Sequence, residues 1–431
     1  MHILLELFGA FALRRGFVEG AFIVGGAVRD LLMGKELQDV DIALTGDARE
    51  IAEEFAAETG ASFVVLDAAF GVYRLVRDGS ILDLAAVRRD SLSVDLAERD
   101  LTINAMALPL RNVLREPPTP CSVQLNRIDP HNGAQDLSAG VLRMVAEENF
   151  VKDPLRLLRV YRFAATLRFT VEERTLQAVG KLSSLISSVA AERVAEELRH
   201  ILGAEESSSV VASMAESGIL SPLLPGWENM PPAGRNALLA EYGKVEGIIR
   251  TPSLAFGAEG VRAAEYFIPA FRRVCVKLST LLPHPGRIEE TACRLKLSRK
   301  EAGLLRTLVS GKERVLRAEG AAGGRETVRL LKELGDDVYA MAVLAAGGTR
   351  DPSPYRELLS FYRTLFRERR ELLPLLTGHD LTREFRLVPS PLFREILGEV
   401  EERVLEGKIR TRAEALATAG ELIEGGGRKG E

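Results

Sequence analysis

Residues 21 to 110 alternate short β-branched runs with stretches of helical period. AFIV, DVDIAL, SFVVLD, YRLVRD and SILDLAAV read as strands, and AVRDLLMG and AREIAEEFAAETG as the helices between them. That mixture predicts an α/β or α+β domain. From about residue 141 the strand signal fades, and DPLRLLRVYRFAATLRF and AAERVAEELRHILG carry apolar residues at helical spacing, so the remainder reads as mostly α. Gly and Pro clusters at 117–120, 222–234, 281–286 and 321–324 mark loops, some of them domain edges. A polar, glycine-rich EGGGRKGE reads as a frayed end. The N-terminal LLELFGAFAL is interrupted by Glu6 and followed by Arg14 and Arg15, which predicts a packed helix rather than a targeting segment.

The 431 residues, 46% of them hydrophobic, exceed what one core usually organises and predict two to four domains. Lys and Arg total 57 against 61 Asp and Glu, a net charge of -4, so no global basic field advertises a nucleic-acid partner and any such partner must be held by local patches. Cys121, Cys275 and Cys293 stand far apart, without disulfide or zinc spacing, which fits a reducing cytosol. No apolar run is long enough to predict a membrane span or a membrane partner.

The chemistry starts at FIVGGAVRDLLMGKELQDVDIAL, residues 22 to 44. On a strand, Asp39 and Asp41 point to one side, roughly 6.5–7 Å apart at Cα, while Val40, Ile42 and Leu44 point into the core. Two carboxylates so placed repel unless a cation lies between them, and hard oxygen ligands suit Mg²⁺. Asp83 in SILDLAAV offers a third carboxylate, and the three would serve a two-metal nucleotidyl transfer. Gly25 and Gly26, between a strand and a helix start, would let a triphosphate approach backbone N–H groups, with Arg29 and Asp30 in contact or in support. Neither GxGxxG nor GxxxxGK[ST] is present, so the dinucleotide and P-loop readings fail. A lone DxD is usually a solvated strand edge and a lone GG a turn; it is their order, with a later acidic strand, that matches what a nucleotidyltransferase palm requires.

GGAVRD, DVD and ERDLTINAMA (98–107) together resemble the bacterial-type tRNA nucleotidyltransferase and poly(A) polymerase family of the polymerase β superfamily. The resemblance continues through IDPHNGAQDLSAGVLRMV, KDPLRLLRVYRFAATLRF and ERVAEELRHIL to residue 202, and more weakly through LLTGHDL and residues 398–416. It implies that Asp39 and Asp41 are the catalytic metal ligands and Asp83 the third strand carboxylate. It implies too that Arg99, Asp100 and Asn104, matching an RRDxxxN motif, contact the ribose and phosphates of the incoming nucleotide. Glu98 stands where that motif has its first arginine. In KDPLRLLR, Asp153 and Arg156 are three apart, predicting one helix face with Pro154 in its first turn. A carboxylate accepting from an exocyclic amino group beside a guanidinium donating to a ring nitrogen selects cytosine and adenine over uracil and guanine. The pair matches the family's EDxxR motif, with Lys152 in place of the acidic residue. Arg159, Arg162 and Arg168 extend the basic face, and Arg363, Arg367, Arg369 and Arg370 form a second cluster; such runs are commonly solvated faces, and the resemblance implies contacts to acceptor-stem phosphates.

The expected organisation is an α/β nucleotidyltransferase head (1–140), then an all-α neck carrying the nucleotide-selecting helix (141–202), a helical body (203–350) and a tRNA-binding helical tail (351–431). Members of the family add CCA, CC, A or poly(A), and a flexible loop between the third strand carboxylate and the RRD-like motif separates them. Only 17 positions lead from Asp83 to Asp100, which favours CC addition from CTP, with ATP and full CCA addition as the alternative. A pI near 6.0 and an end without a basic extension argue against a poly(A) polymerase. A catalytically dead RNA-binding scaffold has no use for the intact carboxylates, and a small-molecule nucleotidyltransferase has no use for the long helical region. His379-Asp380 reads as a helix-start contact rather than a hydrolase motif.

Overall fold

The computed structural model describes residues 3–37, 39–68, 71–87, 91–114, 118–282, 285–317 and 324–426. Six strands, β1 (Ala21–Val24), β2 (Asp39–Leu44), β3 (Ser62–Asp67), β4 (Val72–Arg77), β5 (Ser80–Ala86) and β6 (Ala107–Pro109), form a sheet of order β3-β4-β5-β2-β1-β6. β2 and β5 run parallel and every other neighbouring pair antiparallel. Alternation places Val40, Ile42 and Leu44 in the core, at 0%, 1% and 1% exposure. Helices Ile3–Arg15 and Ala48–Thr59 cover that face, with Phe8 and Phe11 edge-on to Phe55 at 5.2 and 5.4 Å. Asp47 accepts from the backbone N–H of Arg49 and of Glu50 and so starts the second of these helices. A smaller cluster of Val24, Ala43, Val87, Leu96 and Ala107 supports the opposite face, from which Asp39 and Asp41 project.

The chain divides into two compact units: Met1–Ile201 with Ser213–Pro222, and Leu202–Ala212 with Leu223–Glu431. After the sheet, the first unit continues in helices Gly133–Ala139, Glu148–Lys152, Arg156–Leu167, Glu173–Leu182 and Ala191–Gly203. Asp129 of the IDPHNG turn accepts from the N–H of Gly133 and of Ala134, which fixes the start of the first. Two-residue strands β7 (Val141–Leu142) and β8 (Thr170–Val171) pair in parallel inside a region whose sequence predicts helices alone. Periodicity cannot show a strand of two residues.

Apart from short 3₁₀ and π turns, the described part of the second unit is α-helical. Helix Val338–Gly348 is apolar all round and buried from Val338 to Gly347, and the other helices pack about it. A separate core joins helices Pro391–Glu406 and Arg412–Gly426 through Ile396, Val400, Ala415 and Ala419. Asp380 is the third residue of helix Gly378–Phe385 and shares a capping box with Thr377, the helix-start contact expected of it. Among the described residues no helix is long and apolar enough to cross a membrane. Of the expected loops, residues 117, 283, 284 and 321–323 lie outside the described residues, as do 427–431 of the expected frayed end.

Candidate active site

In the parallel pairing of β2 with β5, Asp41 is in register with Asp83 and Asp39 with Ile81, so the three carboxylates lie on adjacent strands. Burial pushes the Asp41 carboxyl above its ordinary value; Asp83 and Asp39 push the same way, while Arg99 and Arg159 pull it down. Asp83 is turned to β4, where Arg74 grips it with a two-pronged contact, Nε at 2.9 Å and Nη2 at 2.8 Å. Among the described residues no three acidic, histidine or cysteine side chains are gathered as metal ligands. Asp39 and Asp41 fit a divalent cation by their oxygen chemistry and by the neighbouring carboxylate charges that still leave Asp41 raised.

Gly25 leaves β1 with φ 72°, and its N–H donates to the Met106 carbonyl at 3.1 Å. A Cβ here would lie 2.5 Å from Arg99 Nη1 and 3.6 Å from Asp41 Oδ2. The positive φ favours glycine here, and a side chain would also displace the Arg99 guanidinium. Gly26 opens the short helix Gly26–Leu32.

A chain of polar contacts crosses the site. Arg29 is forked onto Asp30 at 3.0 Å through both Nε and Nη2, and its Nη1 donates to Asn104 Oδ1 at 2.8 Å. Asn104 Nδ2 donates to Asp100 Oδ1 at 3.1 Å, and Arg159 Nε to Asp100 Oδ2 at 2.6 Å. Burial works to raise the Asp100 carboxyl, but Arg159, Asn104 and the Leu101 N–H overcome it and hold it well below the usual carboxylate range. Arg159 is raised in turn by the Asp100 charge. Arg29, Arg159 and Arg162 all lie over the Phe163 ring, at 5.2, 5.4 and 4.5 Å from its centroid. Arg162 faces Glu197 at 3.2 Å, and Arg99 pairs with Asp95 at 3.1 Å.

Asp153 and Arg156 do not share a helix, contrary to the expectation from their spacing. Proline disfavours the α region for the residue before it, so Asp153 is extended, with φ -139° and ψ 92°, and ends helix Glu148–Lys152. Arg156 is the first residue of the next helix, and Pro154 lies in the turn between the two. The turn nonetheless returns the side chains to each other, with Arg156 Nε 3.9 Å from Asp153 Oδ2. Asp153 also meets Arg193 at 3.4 Å, and Arg156 Nη1 donates to the Glu98 carbonyl at 2.6 Å.

A cleft of about 970 Å³ in the first unit is lined by Gly26, Arg29, Asp41, Arg99, Asp100, Asn104, Asp153, Arg156, Arg159 and Arg162 among others. Gly25, Asp39 and Asp83 do not line it. Arg168 ends its helix in a left-handed conformation, φ 59°, away from these walls. The sequence did not single out Phe163, Asp95, Arg193 or His200, which line the cleft, nor Glu197 and Arg74, which hold groups of the site. Alternation could have placed Arg74 on one face of β4, but only the β4–β5 register sets it opposite Asp83. In the second cluster, Arg363 Nε is shared between the two carboxylate oxygens of Glu259, each at 2.9 Å, and Arg369 donates to the Leu405 carbonyl at 2.9 Å. The interval from Asp83 to Asp100 contains the end of β5 and a helix, Leu92–Ala97, besides residues 88–90, which lie outside the described residues.

The sheet with its strand carboxylates and the basic cleft beside it define a nucleotidyltransferase palm. Residues 21–143 match the poly A polymerase head domain, and residues 168–230 the "Probable RNA and SrmB- binding site of polymerase A". A CC-adding tRNA nucleotidyltransferase of Synechocystis sp. is 33% identical over 93% of this chain and 93% of its own length. The protein of that name from Geobacter sulfurreducens is 31% identical over 95% and 93%, and an A-adding tRNA nucleotidyltransferase of Halalkalibacterium halodurans 28% identical over 93% and 88%. Among solved structures, a CCA-adding enzyme in complex with ATP shares the fold, with a TM-score of 0.73 at 23% identity over 98% of this chain and 93% of that one. The chain belongs to the tRNA nucleotidyltransferase and poly(A) polymerase family and is an enzyme.

Proposed function

We propose that this enzyme adds CC to the 3′ end of tRNA, taking C from CTP without a nucleic-acid template. The observation that carries the reading is one cleft walled both by Asp41 and by the Asp153–Arg156 pair, so that a base and its α-phosphate would find a reader and a reaction centre in the same space. Asp39 and Asp41 would hold Mg²⁺, which when bound polarises the α-phosphate and eases loss of the proton from the attacking 3′ hydroxyl. Asp153 accepts from the exocyclic amino group of cytosine and Arg156 donates to the neighbouring ring nitrogen and carbonyl oxygen. Arg29, Arg99, Arg159 and Arg162 bind the triphosphate, with Asp100 and Asn104 holding Arg159 and Arg29 in place. Gly25 and Gly26 keep the approach to Asp41 open, and Asp83 shapes the charge around it. The first 140 residues serve as head, 141–202 as base-reading neck, 203–350 as body and 351–431 as the tail that grips tRNA.

CC rather than CCA addition is supported by the short interval between Asp83 and Asp100 and by the CC-adding relatives at 33% and 31% identity. The A-adding relative at 28% makes the A-adding reading the one to test against it. The purified enzyme with Mg²⁺ is given a tRNA ending at its discriminator base, and separately the same tRNA ending in CC, with each nucleotide alone and with all four. The expected product stops at CC and the CC-ended tRNA is inert to ATP. Growth to CCA, or A added to the CC end alone, would replace the reading by CCA or A addition, and long A tails by a poly(A) polymerase.

A further inference from the structure

Glu98 and Lys152 each depart from the motif in which they stand, Glu98 where an arginine is expected and Lys152 where an acidic residue is expected, and in the structure they meet. Lys152 Nζ lies 2.9 Å from Glu98 Oε1. Both signs are exchanged at once, so the two positions carry opposite charges here as they do in the motif.

The surroundings make this more than a loose surface pair. Glu98 directly precedes Arg99 and Asp100, and Lys152 directly precedes Asp153. The two segments are already stitched together through the main chain: buried Asn149 donates from Nδ2 to the carbonyls of Ala97 and Arg99 at 2.8 and 2.9 Å, and Arg156 donates to the Glu98 carbonyl at 2.6 Å. The held backbones fix where the two side chains start; Lys152 remains 53% exposed, so the pair contributes little to stability and acts on its immediate neighbours. The Glu98 side chain is 18% exposed and sits on the residue whose carbonyl holds the Arg156 guanidinium. An uncompensated carboxylate there would compete with Asp153 for that guanidinium.

We propose that Glu98 and Lys152 are positioning residues for base selection: Lys152 occupies the Glu98 carboxylate, so that Arg156 stays beside Asp153 and both face the incoming base. The inference rests on the reading of Asp153 and Arg156 as base readers and assigns the control of that pair to a second, charge-exchanged pair. Lys152→Glu places two carboxylates beside Arg156, and Glu98→Arg places a cation beside Lys152 and Arg156. The double variant restores attraction with the signs the motif carries elsewhere.

The test uses the full-length enzyme and a tRNA ending at its discriminator base, comparing kcat/KM for CTP with that for UTP. Each single variant is expected to lower the CTP:UTP ratio about fivefold or more, and the double variant to return it to within about twofold of wild type, with Tm unchanged across the set. Lys152→Met, which only removes the charge, is expected to shift the ratio in the same direction by less. Unchanged ratios in Lys152→Glu and Lys152→Met, or a double variant as defective as the product of its singles, would overturn the proposal while leaving the function intact. A wild-type enzyme that adds no C would overturn the functional reading and this proposal with it.

Discussion

Two buried ion pairs, one in each unit, make an instructive contrast. In the first unit, Arg159 and Asp100 meet at 2.6 Å on the wall of the cleft, with Asp100 5% exposed. In the second, Lys277 and Glu246 meet at 2.7 Å, with side chains 1% and 6% exposed. Burial and opposite charge are common to both, and the setting is not. Lys277 also donates to the Ala204 carbonyl and Ser207 Oγ, and Glu246 accepts from the N–H groups of Ser207 and Ser208, so the pair is satisfied by its own helical unit. Arg159 shares its cleft with Arg29, Arg99, Arg156 and Arg162 and with the carboxylates of Asp41, Asp95, Glu98 and Asp153, so charges of both signs face an open space. A perturbed buried charge thus points to function where it faces an open cleft among other charged side chains, and to architecture where its partners close around it.

The contrast breaks most sharply at the carboxylates beneath the cleft. Asp41→Asn is expected to lower single-turnover C addition by about a thousandfold or more while leaving Tm within a few degrees, because it removes a proposed metal ligand and takes one charge out of a group of neighbouring carboxylates. The opposite profile is expected in the helical unit. Glu246→Leu strands the Lys277 ammonium and should cost about 3–5 kcal/mol in denaturant unfolding, whereas Glu246→Leu with Lys277→Met should recover only part of it, since the Ser207 and Ser208 N–H groups stay without their acceptor. Neither should alter the choice of nucleotide; a change in the CTP:UTP ratio in the double variant would show that the Lys277 pair is not merely architectural.

If Arg156 reads the base as proposed, Arg156→Ala is expected to reduce discrimination between CTP and UTP by about 10- to 100-fold, read as a ratio of kcat/KM values. The smallest effect is on acid stability. The folded-state value of Asp100 is depressed, so its contribution is complete above the ordinary value near 3.8 and is lost as pH falls through the lower folded value. Asp100→Asn should therefore flatten the fall in stability below pH 3.8, measured by urea unfolding across that range; an unchanged acid limb would show that Arg159 does not hold the carboxylate charged.

Much of the fold was legible because its signals are local. The alternation in DVDIAL sets Asp39 and Asp41 on the face opposite Val40 and Ile42, and the 3.6-residue period marks the helices Ala48–Thr59 and Ala191–Gly203 almost to the residue. The spacing rule failed at Asp153 and Arg156 because a proline decides the backbone of its predecessor, turning a helical repeat into a break. That failure was also local, and the signal for it was Pro154 itself.

By itself, then, the sequence determined the strand and helix order of the head, the helical character of the chain beyond it, and the residue types able to hold a metal, a triphosphate and a base. Only the tertiary structure decided which of them meet. Arg74 faces Asp83 through strand register, Arg159 reaches Asp100 across 59 positions, and Lys152 meets Glu98 across 54. Arg159 and Arg162 reach Phe163 within their own helix Arg156–Leu167, and Arg29 joins them because that helix lies against the segment that carries it. The physical reason is common to all of these. Periodicity and turn chemistry act over a few residues and are written in the chain order, whereas partner choice between distant charges is settled by packing, and one sequence records the charges without recording who stands opposite whom.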